Sequence, residues 1–200
     1  MEKVYFAGRD EVPRHWTLGE GESLSMTLVV LPGVSCDLPL QIDLDGPGAD
    51  VSLSGIYLCG ADEKVNISVD LRHNVGGCTS RQMLKGIVGG SARAGFYGRI
   101  YVAHDSLRTK AYQENHNILL TDSARVETRP QLEIYADDVE CSHGATIGSL
   151  NADEQFYMRS RGIPEAEARV LQMISFIAPV LERIPDESVR GSILSTIYSL

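Results

Sequence analysis

The sequence predicts a mainly β chain closed by a small C-terminal helical domain. Short apolar or alternating runs fill about 23–147, turn formers separate them, and at Asn151 the hydrophobic period changes from two to three or four. The 200 residues leave room for one domain with a modest appendage, at roughly 150 residues per domain. A chain of this length buries about 70% of its unfolded surface and needs no disulfide or metal staple.

The strand-like runs cover 23–31, 38–44, 50–58, 64–71, 83–89, 96–103, 112–120, 124–136 and 138–143. Pro32-Gly33, Asp45-Gly46-Pro47-Gly48, Gly76-Gly77 and Gly89-Gly90 punctuate them as turns. Sandwiches, barrels and β-helices all produce this pattern. Two features favour a β-helix: strands such as Val65–Asp70 with small or polar residues, and the absence of any Asn-Gly hairpin turn. A weak beat of 19 to 24 residues, in the early cysteines and in Gly55, Gly77 and Gly98, would suit one coil per repeat.

Beyond Asn151 three helices are expected. Asn151 with Glu154 resembles a capping arrangement, and Gly162 stands where a left-handed residue would end a helix over 152–161. Pro164 suits the first position of a second helix, with Ala166, Val170, Ile174, Ile177 and Leu181 on one face to about Arg183 and Pro179 kinking or shortening it. A third follows Pro185-Asp186 and carries Val189, Ile193, Ile197 and Tyr198. The division falls at 1–150 for the β core and 151–200 for the helices.

Eighteen Lys and Arg against 27 Asp and Glu give a net charge of −9, which argues against nonspecific attraction to nucleic acid or anionic membrane. The start is too charged for a secretory signal, and no run approaches the roughly 18 apolar residues of a membrane span. A soluble, cytoplasmic protein is expected. Its cysteines, Cys36, Cys59, Cys78 and Cys141, form no C-x-x-C pair and should be free thiols in a reducing compartment.

The densest chemical cluster is Asp137-Asp138-Val139-Glu140-Cys141-Ser142-His143-Gly144. On a strand, residues two apart share a face, so the Cys141 thiol and His143 imidazole point the same way. Both are soft-metal ligands, and a cationic imidazole would lower the thiol pKa. Spacing alone favours a plainer account, a buried cysteine beside a hydrogen-bonded histidine. Asp137 and Asp138 are adjacent, point to opposite faces, and read as turn acids rather than a catalytic pair. His15, His73, His104 and His116 show no metal-ligand spacing, no nucleophile-elbow, Walker or zinc-protease motif occurs, and Trp16 alone makes no sugar-binding platform.

A family resemblance follows from longer stretches. Thr79-Ser80-Arg81, Lys85-Gly86, Phe96-Tyr97-Gly98-Arg99-Ile100, Gln113-Glu114-Asn115, Leu119-Leu120 and the block from Arg129 to Ile163 resemble the SufB/SufD family of iron–sulfur cluster assembly proteins, the SufD branch above all. The resemblance runs from about Gly48 to the C-terminus. It implies a right-handed parallel β-helix followed by a helical domain, and a scaffold that is not an enzyme on its own. It further implies a SufC-type ABC ATPase held through the C-terminal helices, and pairing of the β-helix with a SufB-like chain or a second copy. No cofactor is expected to be tightly bound by the chain alone; a transient iron–sulfur cluster is expected in the complex. The family's SufD histidine near the partner interface falls on His143, and the cysteine of its Cys-Ser-His-Gly motif on Cys141. SufB-type chains carry an essential cysteine where this chain has Ala124, so it should not be a self-sufficient scaffold. Residues 1–47 read as opening β coils, so the chain is expected to lack the N-terminal helical region usual in the family.

Three functions are therefore weighed. The first is a SufD-like assembly subunit with His143 as ligand and Cys141 as its neighbour in metal or sulfur handling. The second is a β-helix enzyme acting on acidic polysaccharide, for which secretion and aromatic platforms are lacking. The third is a purely structural interaction module.

Overall fold

The computed structural model describes residues 3–200. Its strands are β1 (Lys3–Phe6), β2 (His15–Leu18), β3 (Ser23–Val30), β4 (Cys36–Leu44), β5 (Asp50–Cys59), β6 (Lys64–His73), β7 (Thr79–Val88), β8 (Arg93–Val102), β9 (Thr109–Leu119), β10 (Arg125–Ile134) and β11 (Val139–Ser149). Three helices follow, α1 (Ala152–Ser160), α2 (Glu165–Leu181) and α3 (Glu187–Ile197).

Odd strands form one sheet in the order β1-β3-β5-β7-β9-β11, and even strands a second in the order β10-β8-β6-β4-β2. Neighbours in both sheets run parallel. The chain alternates between the sheets and so winds a parallel β-solenoid of about five turns. This decides against a sandwich of antiparallel hairpins. The coil is longer than the glycine and cysteine beat suggests: Ser23 pairs with Asp50, Asp50 with Thr79 and Thr79 with Lys110, steps of 27, 29 and 31 residues. Gly55 and Gly98 sit inside strands of different sheets while Gly77 is a turn residue with φ of 73°, so they are not equivalent positions.

Period-two alternation places the core. On β6, Val65, Ile67, Val69 and Leu71 are buried between the sheets. Asn66, Ser68, Asp70 and Arg72 face solvent, where Asp70 accepts from Arg72 and Arg99 at 2.7 Å each. The interior is not wholly apolar. Tyr57 donates its hydroxyl hydrogen to Asn117 Oδ1, Asn115 Nδ2 donates to the Tyr57 oxygen at 3.0 Å, and Asn117 Nδ2 donates to Asn115 Oδ1 at 2.8 Å. Gly86 makes room for this triangle, because a Cβ there would overlap the Tyr57 ring and Asn117 Oδ1. Gly86→Ala is expected to cost about 1–3 kcal/mol by overpacking, lowering the melting temperature by about 2–4 °C per kcal/mol. An unchanged melt would contradict this packing.

The helices are capped much as the sequence suggests. Asn151 accepts from the N–H groups of Asp153 and Glu154, Gly162 takes φ of 89°, and Asp186 accepts from Ser188 and Val189. Three details differ. Pro164 is the cap rather than the first helical residue, since its ψ of 148° is extended; α2 ends at Leu181, two residues past Pro179; and Tyr198 is exposed beyond α3. Met173, Ile177, Val180, Ile193 and Ile197 cover Val29, Ile56, Leu58 and Ile87 on the outer face of the odd-strand sheet. The helices thus flank the solenoid and leave the outer edges of β10 and β11 uncovered by strands. Among the described residues no helix is long and apolar enough to cross a membrane.

Candidate functional site

The site is built on β11, the last strand of the six-stranded sheet, which among the described residues has only β9 as a sheet neighbour. The register sets Cys141 beside Ala111 and His143 beside Gln113. Ala111 and Gln113 belong to the buried inward row of β9. Cys141 packs against the cluster of Ile100, Val102 and Ala111, which identifies its row as inward, and His143 follows two residues on in the same row. The expected shared face is therefore present. Both positions lie at the solenoid's open end, where among the described residues no further coil stacks above them, so Cys141 is only half-buried and His143 is exposed.

The thiol differs from expectation. Burial pushes Cys141 up, against an opposing hydrogen bond from the Ala111 backbone, and no imidazole contributes to the shift. At neutral pH Cys141 is a thiol rather than an activated thiolate, because it leans into the apolar cluster. Asp137 and Asp138 are exposed in the turn before β11, where Asp138 supplies its carbonyl to the Arg108 N–H at 2.6 Å. They are turn acids. Ala124 is fully buried just ahead of β10.

The other histidines are held separately. His15 Nε2 lies 2.6 Å from Asp43 Oδ2, His73 Nε2 lies 2.9 Å from Ser80 Oγ, His104 stacks near Tyr135, and His116 Nδ1 lies 2.8 Å from Thr146 Oγ1. Among the described residues no three His, Cys, Asp or Glu side chains gather as a metal site. Cys141 and His143 offer two donors, leaving a metal's remaining positions to another source.

Around the open end lie exposed Ile134 and Ile147, at 38% and 45%, on inward rows that a further coil would bury. Unpaired strand edges and apolar inward rows together make a surface suited to association. At the motif itself, a cleft of about 370 Å³ is lined by Arg81, Gln113, His116, Ser142, His143 and Arg183. A second groove of about 780 Å³ runs between α1, α2 and the end of β11, with Tyr157, Met158, Leu171 and Phe176 on its walls. Helix α1 buries no residue of its own, and Phe156 and Tyr157 are 72% and 59% exposed.

Sequence reasoning missed the buried polar row inside the solenoid. Its signal was in Gln113-Glu114-Asn115-His116-Asn117, where polar residues occupy both strand parities and one parity must face inward.

Comparison with known proteins places these features in context. Residues 14–176 match the family model described as SUF system FeS cluster assembly, SufBD core domain. The chain is 39% identical over 154 residues to the iron–sulfur cluster assembly protein SufD of Escherichia coli, covering 77% of this chain and 36% of that protein. It is 43% identical over 124 residues to an iron–sulfur cluster assembly SufBD family protein of Synechocystis, covering 62% and 27%. The SufD of Bacillus subtilis is 29% identical over 194 residues, covering 95% and 41%. The chain thus spans well under half the length of each.

Proposed function

Because the chain belongs to the SufB/SufD family of iron–sulfur cluster assembly proteins, on its SufD branch, we propose that it serves as a scaffold subunit of that assembly system, and not as an enzyme, with His143 as a ligand to a nascent cluster and Cys141 as its neighbour in metal or sulfur handling. The cluster is cargo, passing through a complex rather than residing in this chain. The observation that best supports this reading is the placement of the two donors on one inward row at an uncovered edge. Two donors at such an edge become a complete site only when a second chain closes over them.

The closing chain in this reading is a SufB-like subunit or a second copy, stacked on β10 and β11 over Ile134 and Ile147. A SufC-type ATPase would dock on the helices, and the groove holding Tyr157, Leu171 and Phe176 supports that assignment, since α1 leaves its aromatic residues unburied. The polysaccharide-enzyme alternative gains nothing, because Asp137 and Asp138 are adjacent, exposed residues of the turn before β11.

The test is a complex reconstituted with a SufB-like chain and a SufC-type ATPase. His143→Ala is expected to lower its iron–sulfur content several-fold while leaving the chain folded, with a melting temperature lowered by no more than about 2–4 °C, since an exposed ring gives up about one hydrogen bond at most. Cys141→Ser should lower cluster content less and stability more, because the thiol rests on Ile100, Val102 and Ala111. A destabilised His143→Ala variant giving a normal cluster yield would reject the ligand role.

A further inference from the structure

Resting on the reading of His143 as a ligand, we propose that Gln113 is its positioning residue: the buried Gln113 amide, last rung of a glutamine ladder inside the solenoid, holds one ring nitrogen of His143 and leaves the other for the incoming metal. Gln113 is 1% exposed, and its Nε2 donates to Gln82 Oε1 at 3.1 Å. Its Oε1 is buried without a hydrogen-bond partner. The strand register stacks Gln82, Gln113 and His143 in one inward row across β7, β9 and β11. Neighbouring strands are about 4.8 Å apart, so each rung of that row lies within side-chain reach of the next.

A buried amide oxygen without a partner is uncommon in folded proteins and points to a group that satisfies it. On the inner side the Gln113 amide nitrogen is used by Gln82 Oε1, while Gln82 Nε2 is itself buried without a partner at the ladder's other end. On the open side the next residue in the row is His143, an imidazole that donates from one nitrogen and accepts at the other. An amide suits the task because it offers both a donor and an acceptor, and fixes a neutral ring without adding charge. A metal-bound imidazole needs such a partner on its far nitrogen to set tautomer and orientation. Gly98, opposite on β8, is part of the device: a Cβ there would overlap the Gln113 amide. Thr128 Oγ1 is also buried and unpartnered, on the inward row of β10 in the facing sheet, and is the rival that the test must separate.

The ring's tautomer is read by long-range proton–nitrogen NMR of the full chain labelled at histidine, with the ring neutral and its signals assigned by their loss in His143→Ala. The expected result is one dominant tautomer. Gln113→Met, which keeps the length and removes the amide, should return the signals to the two-tautomer average of a free imidazole, and Thr128→Val should leave them unchanged. In the reconstituted complex Gln113→Met should lower cluster content roughly tenfold, the lower end for losing a partner that orients a metal ligand. A free-imidazole average in the unsubstituted chain, or release of the ring by Thr128→Val and not by Gln113→Met, would overturn the proposal. If Gln113→Met does not fold, the unsubstituted chain and Thr128→Val decide together: one dominant tautomer that survives Thr128→Val supports the proposal, and its absence or its loss in Thr128→Val overturns it. A normal cluster yield in His143→Ala would refute the ligand reading, yet leave an NMR-detected hold of Gln113 on the ring intact, so the two failures are told apart.

Discussion

A chain ending at Leu150 is expected not to fold stably. The helices it lacks cover Val29, Ile56, Leu58 and Ile87, all 0% exposed on the outer face of the odd-strand sheet. Full burial of such a side chain contributes about 1.5–3 kcal/mol, so four on the sheet account for about 6–12 kcal/mol before the helical partners are counted. That is comparable to the entire stability of a typical domain. Polar contacts are lost as well: Arg183, just beyond α2, donates to Ser54 Oγ at 2.8 Å. The truncated chain should aggregate or bind a hydrophobic dye without a cooperative melt. Ile177→Asp in the full chain should reproduce much of the defect, because it buries an unpaired charge in the same cluster. A truncated chain melting cooperatively near the full-length temperature would show that the helices are an independent appendage.

Acid should destabilise the protein through His73. This side chain is fully buried, and burial pushes its imidazole down to about 4, against about 6.5 when unfolded. The unfolded chain therefore binds a proton in a range where the native chain does not. Stability from this residue is complete above about pH 6.5, falls as pH drops toward 4, and is lost below it. The shift corresponds to about 3 kcal/mol in all, and about 2 kcal/mol of it disappears between pH 7 and pH 5. Urea denaturation at those two pH values measures the loss directly. His73→Gln, which keeps a polar group for Ser80, should flatten the dependence by about that amount; an equal slope in both proteins would mean that other groups set it. A second window lies lower. Burial alone would raise the Glu63 carboxyl, but N–H groups of Gly33, Ala61, Glu63 and Gly60 hold it below its usual range, so its contribution is present above the ordinary carboxylate pKa and lost as pH falls through its own.

Much of this protein was legible as local pattern. The nine runs between 23 and 147 correspond to β3–β11, and the shared face of Cys141 and His143 followed from period two alone. Asn151, Gly162 and Asp186 marked helix ends because caps satisfy orphan backbone groups within three residues. What lay beyond the sequence was everything set by pairing across about 30 residues. Alternation specifies that Val65 and Ile67 face inward, but a sandwich and a solenoid require the same alternation; the parallel register of β6 with β4 and β8 decided between them. The same distance hides the environment of a side chain. Cys141 reads beside His143 as a candidate thiolate, yet its pKa is governed by Ile100, Val102 and Ala111, which arrive from two other strands and exclude water. Gln113 looks like a solvated polar residue until Gly98 opens a space for its amide and the register stacks it between Gln82 and His143. Short-range periodicity and capping are properties of neighbouring residues, so the sequence determined them; burial, partner choice and the open end that exposes His143 depend on which coil stacks on which, and only the tertiary structure decided those.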